Sequence, residues 1–176
     1  MIISVEEIKK LIDFKDWSDA KIERKLNAIE QTIRSYTNNN FQKRTHRKTA
    51  DIVGGLLVFK ENDFFKIDDT VQITESMYSN GIYTVIEASG ESIGIDKDIL
   101  DEEGVLVTKV EYPADVIDCC INLMEWEINN RSKVGIQFET LSRHSVTYFN
   151  QDAGNQVMGY PASLLGCLKA YRKVRC

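Results

Sequence analysis

The apolar residues of this chain follow two different periods, and this change of period limits the folds that are open to it. Between residues 22 and 36 the spacing is that of a helix that packs on other helices. The residues concerned are Ile22, Leu26, Ile29, Ile33 and Tyr36. Between residues 50 and 111, short runs rich in Val, Ile, Thr and Tyr are separated by turn residues, as in antiparallel strands. The chain must therefore combine a helical part with a β part.

Two helices are predicted before residue 50. The first follows Ser4, which can form a capping box with Glu7. The second begins at Ser18 or Asp19 and ends at the sequence TNNN, because asparagine tolerates the left-handed conformation that follows a helix. Each helix carries one apolar stripe, which indicates packing against further helices.

Two more helices are predicted after the β part. The third begins at Pro113, since a proline is tolerated in the first turn, and its apolar surface is wide enough for the centre of a bundle. The last runs from about Pro161 to Val174 and buries one row of side chains. That row is Leu164, Leu165, Leu168 and Tyr171. A long connection without a sustained period separates these two helices.

The predicted fold class is α+β and mainly α. A helical bundle is built from the N- and C-terminal helices and is interrupted by an antiparallel β insertion, which forms a meander or a small barrel of about five strands. The predicted domains are a helical core made of residues 1–49 and 112–176, and a β-rich, acidic insertion made of residues 50–111.

The distribution of charge supports this division. Residues 1–50 have a net charge of +4, residues 51–115 of −11, and residues 116–176 of +2. A middle segment that differs in composition from both of its flanks is typical of an insertion.

Composition excludes several classes of protein. With 43% hydrophobic and 28% charged residues, the chain is an ordinary globular protein rather than a disordered one. We expect no membrane span and no secretory signal, because no apolar run approaches the roughly 18 residues of a span and the first turns are charged. The cysteines at 119, 120, 167 and 176 form no CxxC pair, which favours reduced thiols in a cytoplasm.

The sequence SRHSVTYFNQ, at residues 142–151, raises the possibility of a hydrolase that uses Ser142 and His144. The serine lacks a glycine-flanked elbow, and no acidic residue is locally placed to orient the imidazole, although such a partner could come from elsewhere in the fold. We therefore interpret the stretch as a structural segment that packs against the helical body or a neighbouring subunit, and we predict no enzymatic activity. Its packing residues are Ser142, Arg143, His144, Val146, Tyr148 and Phe149.

No cofactor or metal site is predicted. His46 and His144 have no Cys or His neighbour at a spacing that suits zinc. The acidic clusters at 68–69 and 101–103 are an open alternative for a cation, although neither resembles a calcium loop.

A basic run at residues 43–48 allows two interpretations. It is either a solvated loop that leads into the insertion or a patch that contacts phosphates without reading sequence. Repeated around a ring, the same patch could line a DNA channel. A sequence-independent nucleic-acid-binding module is therefore the alternative function. The cationic residues are Lys43, Arg44, Arg47 and Lys48.

Several stretches together resemble a known family. These are ISVEEIKKLID, VTKVEYPADV, LMEWE, NRSKVGI, ETLSRHSVTYF and GYPASLLGCLKAYRKVR. They are similar to the head-tail connector proteins of long-tailed bacteriophages, the head-completion adaptors of phages and prophages of Gram-positive hosts. The likeness spans nearly the whole chain and is most specific from Val107 to Arg175. The strand-like insertion departs from the compact members, which are almost wholly helical.

The resemblance implies a structural virion protein. Such adaptors form a ring, usually twelvefold, beneath the portal at the head-tail interface, and they are assembled in the host cytoplasm. The ring extends the DNA channel, touches its DNA non-specifically and receives a downstream head-completion or tail protein. A subunit can remain monomeric until the portal is present. In relatives the C-terminal segment grips the portal, which maps here to Leu168, Tyr171, Arg172, Lys173 and Arg175.

Overall fold

The computed structural model divides the chain into two compact units. One contains Met1 and Asn40–Tyr112, and the other contains Ile2–Asn39 and Pro113–Cys176. The structure describes residues 1–131, 138–141, 144–147 and 156–174, with the backbone alone in 138–141 and 144–147. We refer to the two parts as the barrel unit and the helical unit.

The barrel unit is a closed, antiparallel barrel of six strands in the order β1-β2-β5-β4-β3-β6. Strands β3, β4 and β5 form a meander, and β6 returns to lie beside β3, which is a Greek-key arrangement. Pairing of β1 with β6 closes the barrel. The strands are β1 (Gln42–Val53), β2 (Leu56–Val58), β3 (Thr70–Thr74), β4 (Gly81–Ala88), β5 (Ser92–Ile95) and β6 (Glu102–Val110).

Alternating side chains fill the interior of the barrel. In β1, for example, Ala50 and Ile52 point inward and are buried, while Asp51 and Val53 are exposed. Burial of each large aliphatic side chain stabilises the unit by about 1.5–3 kcal/mol. The interior residues are Ala50, Ile52, Leu57, Phe59, Phe65, Val71, Ile73, Val85, Ile93, Ile95, Val105 and Val107.

Among its described residues, the helical unit contains three α-helices and a short 3₁₀ helix. These are α1 (Val5–Leu11), α2 (Asp19–Thr37), α3 (Ala114–Asn130) and the 3₁₀ helix Gly166–Tyr171. The predicted capping box is confirmed, because Ser4 Oγ accepts from the Glu7 N–H and the Glu7 carboxylate accepts from the Ser4 N–H, both at 3.2 Å. Asn38 caps α2 in the left-handed conformation, with φ +48°.

Helix α2 packs against α3 and against the 3₁₀ helix. The stripe predicted on α2 supplies fully buried side chains, among them Ile22, Leu26 and Ile29. Helix α3 contributes Leu123 and Met124 to the same core. Among the described residues, none of the helices combines the length and the hydropathy that a membrane crossing requires.

Short antiparallel strand pairs lie between α3 and the 3₁₀ helix. Strand β7 (Phe138–Leu141) pairs with β8 (His144–Thr147), and β9 (Gln156–Val157) pairs with β10 (Tyr160–Pro161). Met158 and Gly159 form the turn of the second pair with positive φ values of 54° and 81°, which is the conformation of a tight hairpin.

The predicted fold class, a mainly helical bundle with a β insertion, is wrong. The strands close into a six-stranded barrel that forms a unit of its own, and its first strand begins at Gln42. Residues 42–49 are polar because much of this stretch lies on the outer wall, and their charges obscured the alternation that marks a strand.

The predicted C-terminal helix from Pro161 to Val174 is also wrong. Leu165, Leu168 and Tyr171 are three residues apart, which fits the period of a 3₁₀ helix as well as it fits one face of an α-helix. Gly166 makes a longer α-helix less favourable by about 1 kcal/mol relative to alanine. The stretch folds as turns followed by a six-residue 3₁₀ helix.

Candidate functional site

The end of the 3₁₀ helix and the residues that follow it are bound to the end of α2 through their backbone. The N–H of Lys173 donates to the carbonyl oxygen of Thr37 at 2.8 Å. The side-chain amide of Asn39 donates to the carbonyl of Tyr171 at 3.3 Å, and that of Asn38 donates to the carbonyl of Lys173 at 3.5 Å. We call residues 168–174 the C-terminal segment. Because hydrogen bonds hold its backbone in place, its side chains project from an ordered backbone.

A side-chain contact with α3 also holds the same segment. The Tyr171 hydroxyl lies 2.7 and 2.8 Å from the two carboxylate oxygens of Asp115, in the first turn of α3. This hydrogen bond favours the protonated phenol and raises the pKa of Tyr171. Leu168 is fully buried and anchors the segment in the core of the helical unit.

The exposed side of the C-terminal segment is cationic. Lys169, Arg172 and Lys173 are exposed, and Val174 is 86% exposed. The Arg172 guanidinium lies 5.2 Å from the centre of the Tyr36 ring, a cation–π distance. Together these side chains border a shallow depression of about 700 Å³ that also includes Ser35 and Asn38. Its described lining contains three cations and no carboxylate, so the surface favours an acidic partner.

The residues predicted to dock on a portal therefore differ in their exposure. Arg172 and Lys173 are accessible, Tyr171 is partly exposed, and Leu168 supports the segment from beneath. Arg175 lies outside the described residues.

The basic run lies at the start of β1 rather than in a loop, and most of its cations have partners within the chain. Lys43 forms an ion pair with Glu111 at 2.5 Å, which lowers the pKa of Glu111. Lys48 forms one with Asp63 at 2.6 Å and also donates to the carbonyl oxygen of Glu61. These two pairs reduce the positive potential that a phosphate would meet.

The remaining two cations of the run behave differently from each other. Arg47 donates to the Thr108 hydroxyl at 2.9 Å and to the Gln42 side chain at 3.0 Å, neither of which neutralises its charge. Arg44 is exposed, and no carboxylate pairs with it among the described residues. The run thus has two cations paired with acids, one that hydrogen-bonds neutral groups, and one in solvent.

A buried polar cluster that the sequence analysis missed lies in the helical unit. Glu127 is 2% exposed, and its carboxylate accepts from Arg131 Nε at 2.9 Å. The Lys25 ammonium lies 3.1 Å from the same carboxylate, and the Tyr160 hydroxyl also hydrogen-bonds it. The Arg131 guanidinium lies 4.8 Å from the ring centre of Trp126. The spacing of Glu127 and Arg131 is visible in the sequence, but Lys25 and Tyr160 reach the cluster from distant segments.

This cluster fixes the helical unit rather than performing chemistry. Burial alone would raise the pKa of Glu127, but hydrogen bonds from Arg131, Tyr160 and Lys25 outweigh it and lower the pKa to about 2. A carboxylate that stays ionised and is fully hydrogen-bonded is neither a general acid nor a free base near neutral pH. Its contacts join α3 to α2 and to β10.

The acidic clusters considered for a cation have structural roles. Asp69 forms an ion pair with Lys109 at 2.6 Å, and Asp101 accepts from the N–H of Gly54 at 2.8 Å. Glu102 accepts from Ser76 and from the N–H of Met77, each at 2.6 Å. In the part of the chain that the structure describes, no group of three or more His, Cys, Asp or Glu side chains could hold a metal ion.

The segment that raised the hydrolase hypothesis falls partly on strand β8. His144 and Val146 belong to that strand, opposite Leu141 and Glu139 of β7. Four of its predicted packing residues lie outside the described residues. These are Ser142, Arg143, Tyr148 and Phe149.

Comparison of the chain with models of known protein families gives no match, and comparison with curated protein sequences gives none either.

Proposed function

We propose that this chain is a structural subunit of the head-tail connector of a long-tailed bacteriophage. In this role it forms a ring, twelvefold as in the family that the sequence resembles, beneath the portal of the virion. It extends the DNA channel and offers a platform to a downstream head-completion or tail protein. It acts by binding and is not an enzyme.

The observation that carries this proposal is the geometry of the C-terminal segment. Docking with little loss of entropy requires a surface that is already ordered before the partner arrives. Here the bonds to Thr37, Asn38 and Asn39 order the backbone, while Arg172 and Lys173 face solvent. The stretch that contains this segment is also among those that carry the family resemblance.

The alternative function, sequence-independent binding of nucleic acid through β1, receives less support. Affinity for phosphate rises with the number of cations that contact the backbone. Lys43 and Lys48 already bind Glu111 and Asp63. A titration with duplex DNA at low and high salt distinguishes the two functions, since a nucleic-acid-binding module requires tight binding with a steep loss as salt rises.

The test of the proposed function is complex formation with the purified portal protein from the same genome. Wild-type chain mixed with portal rings should give a complex in size-exclusion chromatography and an added ring in electron micrographs. A variant with Arg172→Glu and Lys173→Glu should bind at least about tenfold more weakly, because two attractive charges become repulsive.

The matched control changes two exposed cations elsewhere in the helical unit, Lys10→Glu and Arg24→Glu. It alters the net charge of the chain by the same amount and should bind the portal as the wild type does. Absence of any complex with the wild type would overturn the proposed function. Equal weakening in both variants would overturn the assignment of the C-terminal segment.

A further inference from the structure

Three connections meet at one end of the barrel. Strands β1, β3 and β5 run towards this end, and β2, β4 and β6 run away from it. The connections are the β1–β2 turn at residues 54–55, the β3–β4 loop at residues 75–80 and the β5–β6 connection at residues 96–101. We call these three connections, with the strand residues beside them, the barrel tip.

The β3–β4 loop is held in one conformation by Ser76. Its hydroxyl donates to the Glu102 carboxylate at 2.6 Å and accepts from the N–H of Ser79 at 2.6 Å. The N–H of Met77 donates to the other Glu102 oxygen, also at 2.6 Å. The hydrogen bond from Ser76 is the main cause of a lowered pKa at Glu102. The loop is therefore ordered by its own contacts with β6.

The other two connections are joined by carboxylates. Asp101 accepts from the N–H of Gly54 at 2.8 Å, which ties the β5–β6 connection to the β1–β2 turn. Asp51 of β1 accepts from the N–H of Gly104, near the start of β6, at 2.8 Å. The backbone of the barrel tip is thus fixed at several points.

This ordered backbone exposes large apolar side chains to water. Met77 is 75% exposed, Tyr78 67%, Leu100 63% and Val53 58%, and Leu56 is 39% exposed. The Ser76 contacts fix the loop backbone without covering Met77 or Tyr78. All five side chains belong to the barrel tip. Exposed apolar side chains gathered on one part of a surface mark interaction sites, and Met and Tyr are enriched in protein interfaces.

The same connections and strand ends also carry many carboxylates. The acidic residues of the barrel tip are Asp51, Glu75, Asp96, Asp98, Asp101, Glu102 and Glu103. The structure describes every residue of the three connections, and Lys97 is their single cationic residue. Its ammonium lies 5.6 Å from the centre of the Tyr83 ring. The rim of the barrel tip is strongly negative, so it attracts cations and repels anions.

We propose that the barrel tip is a docking surface for a partner protein whose contact surface holds apolar side chains among lysines and arginines. The acidic rim disfavours nucleic acid and anionic membranes, both of which carry negative charge. It also disfavours tip-to-tip contact with a second copy, because like charges would meet. The C-terminal segment has the opposite charge, so the two surfaces suit different partners. The proposal does not rest on the proposed function.

The experiment uses a library of random linear peptides displayed on particles and selected on the full-length wild-type chain. Selected peptides should combine aromatic or aliphatic residues with Lys or Arg, and fluorescence anisotropy should show weaker binding as salt rises. A variant with Met77→Ser and Tyr78→Ser should bind them at least about tenfold more weakly, as expected for the loss of central anchors.

Two further variants complete the test. Ile67→Ser removes a side chain that is 56% exposed in the connection between β2 and β3, and it should bind the peptides as the wild type does. Asp98→Asn with Glu103→Gln neutralises two exposed carboxylates of the rim and should weaken binding at low salt but much less at high salt. Thermal unfolding followed by circular dichroism checks that each variant folds, and the carboxylate variant carries the test if the Met77 and Tyr78 variant does not fold.

The proposal is overturned if no peptide is selected, if the peptides bind the folded tip variants as tightly as the wild type, or if they lack basic residues. Sedimentation velocity on the chain alone addresses a second copy as the occupant. Self-association that the Met77 and Tyr78 substitutions abolish would assign the surface to that copy and overturn the proposal for a basic partner. Binding to the portal is measured separately, so either proposal can fail without the other.

Discussion

The buried carboxylate of Glu127 accepts a hydrogen bond from Arg131 Nε at 2.9 Å, and Arg131 lies one turn further along the chain, at the C-cap of α3. The same carboxylate lies 3.1 Å from the ammonium of Lys25 on α2. Removal of one partner from a buried ionic cluster is costly because the others lose their compensating charge.

Glu127→Gln should therefore destabilise the helical unit by about 2–4 kcal/mol, since Lys25 and Arg131 lose the charge that they face. Urea unfolding followed by circular dichroism measures this difference. Glu125→Gln, on the exposed side of the same helix, is the control and should change stability by less than about 0.5 kcal/mol. An equal loss of stability in the two variants would show that the buried cluster does not stabilise the helical unit.

The same cluster predicts how stability depends on pH. Glu127 has a pKa of about 2 in the folded chain against a reference value of 4.5, so the unfolded chain binds its proton more tightly. The stabilisation, about 3 kcal/mol by linkage, is fully present above pH 4.5 and is lost as the pH falls towards 2. Urea midpoints measured across this range should fall steeply for the wild type and less steeply for Glu127→Gln. Parallel curves for the two proteins would contradict the assignment.

The thiols should differ sharply in reactivity. Burial raises the pKa of Cys120 to about 12 and is also the main cause of the raised pKa of Cys119, whereas Cys167 is exposed. Since the thiolate is the reactive form, an aromatic disulfide reagent at pH 8 should modify Cys167 quickly and the two buried thiols slowly. A Cys176→Ser background removes the C-terminal thiol from the measurement. Rapid reaction of a second thiol in the folded chain would contradict this burial. After unfolding in guanidinium, all three remaining thiols should react quickly with the reagent.

Ser76→Ala should loosen the barrel tip. The change removes an acceptor for the N–H groups of Tyr78 and Ser79 and a donor to Glu102. We therefore expect the free energy of unfolding to fall by about 1–3 kcal/mol. Amide hydrogen exchange at Ser79 should become faster. Thr45→Ala, at an exposed position on β1, is the control and should leave this exchange unchanged. Unaltered protection at Ser79 in the Ser76 variant would mean that the loop is ordered by other contacts.

Features that depend on neighbouring residues could be predicted from the sequence. The capping box at Ser4, the start of α2 after Ser18 and its end at Asn38 are all local, because each is decided by hydrogen bonds within one turn. The apolar stripe of α2 could be predicted in the same way, because a helical period of about 3.6 residues is visible within a single contiguous segment. These elements lie where the sequence places them.

Features that depend on distant partners could not be predicted in the same way. Closure of the barrel requires β1 to pair with β6, and the paired residues are fifty or more positions apart in the chain. Polar residues such as Arg47 and Lys48 carry no local signal of that pairing. The 3₁₀ helix was mistaken for an α-helix because a spacing of three suits both. The partners of Lys43 and Lys48 also come from other segments, so the basic run looked more available than it is.

Closure has a further consequence for a protein that is proposed to work at high local concentration. An open sheet ends in unpaired N–H and C=O groups, onto which another chain can add a strand. Pairing of β1 with β6 leaves the barrel without such an edge. Copies crowded side by side can therefore recognise the barrel by its side chains alone, and this part of the fold resists merging into fibrils.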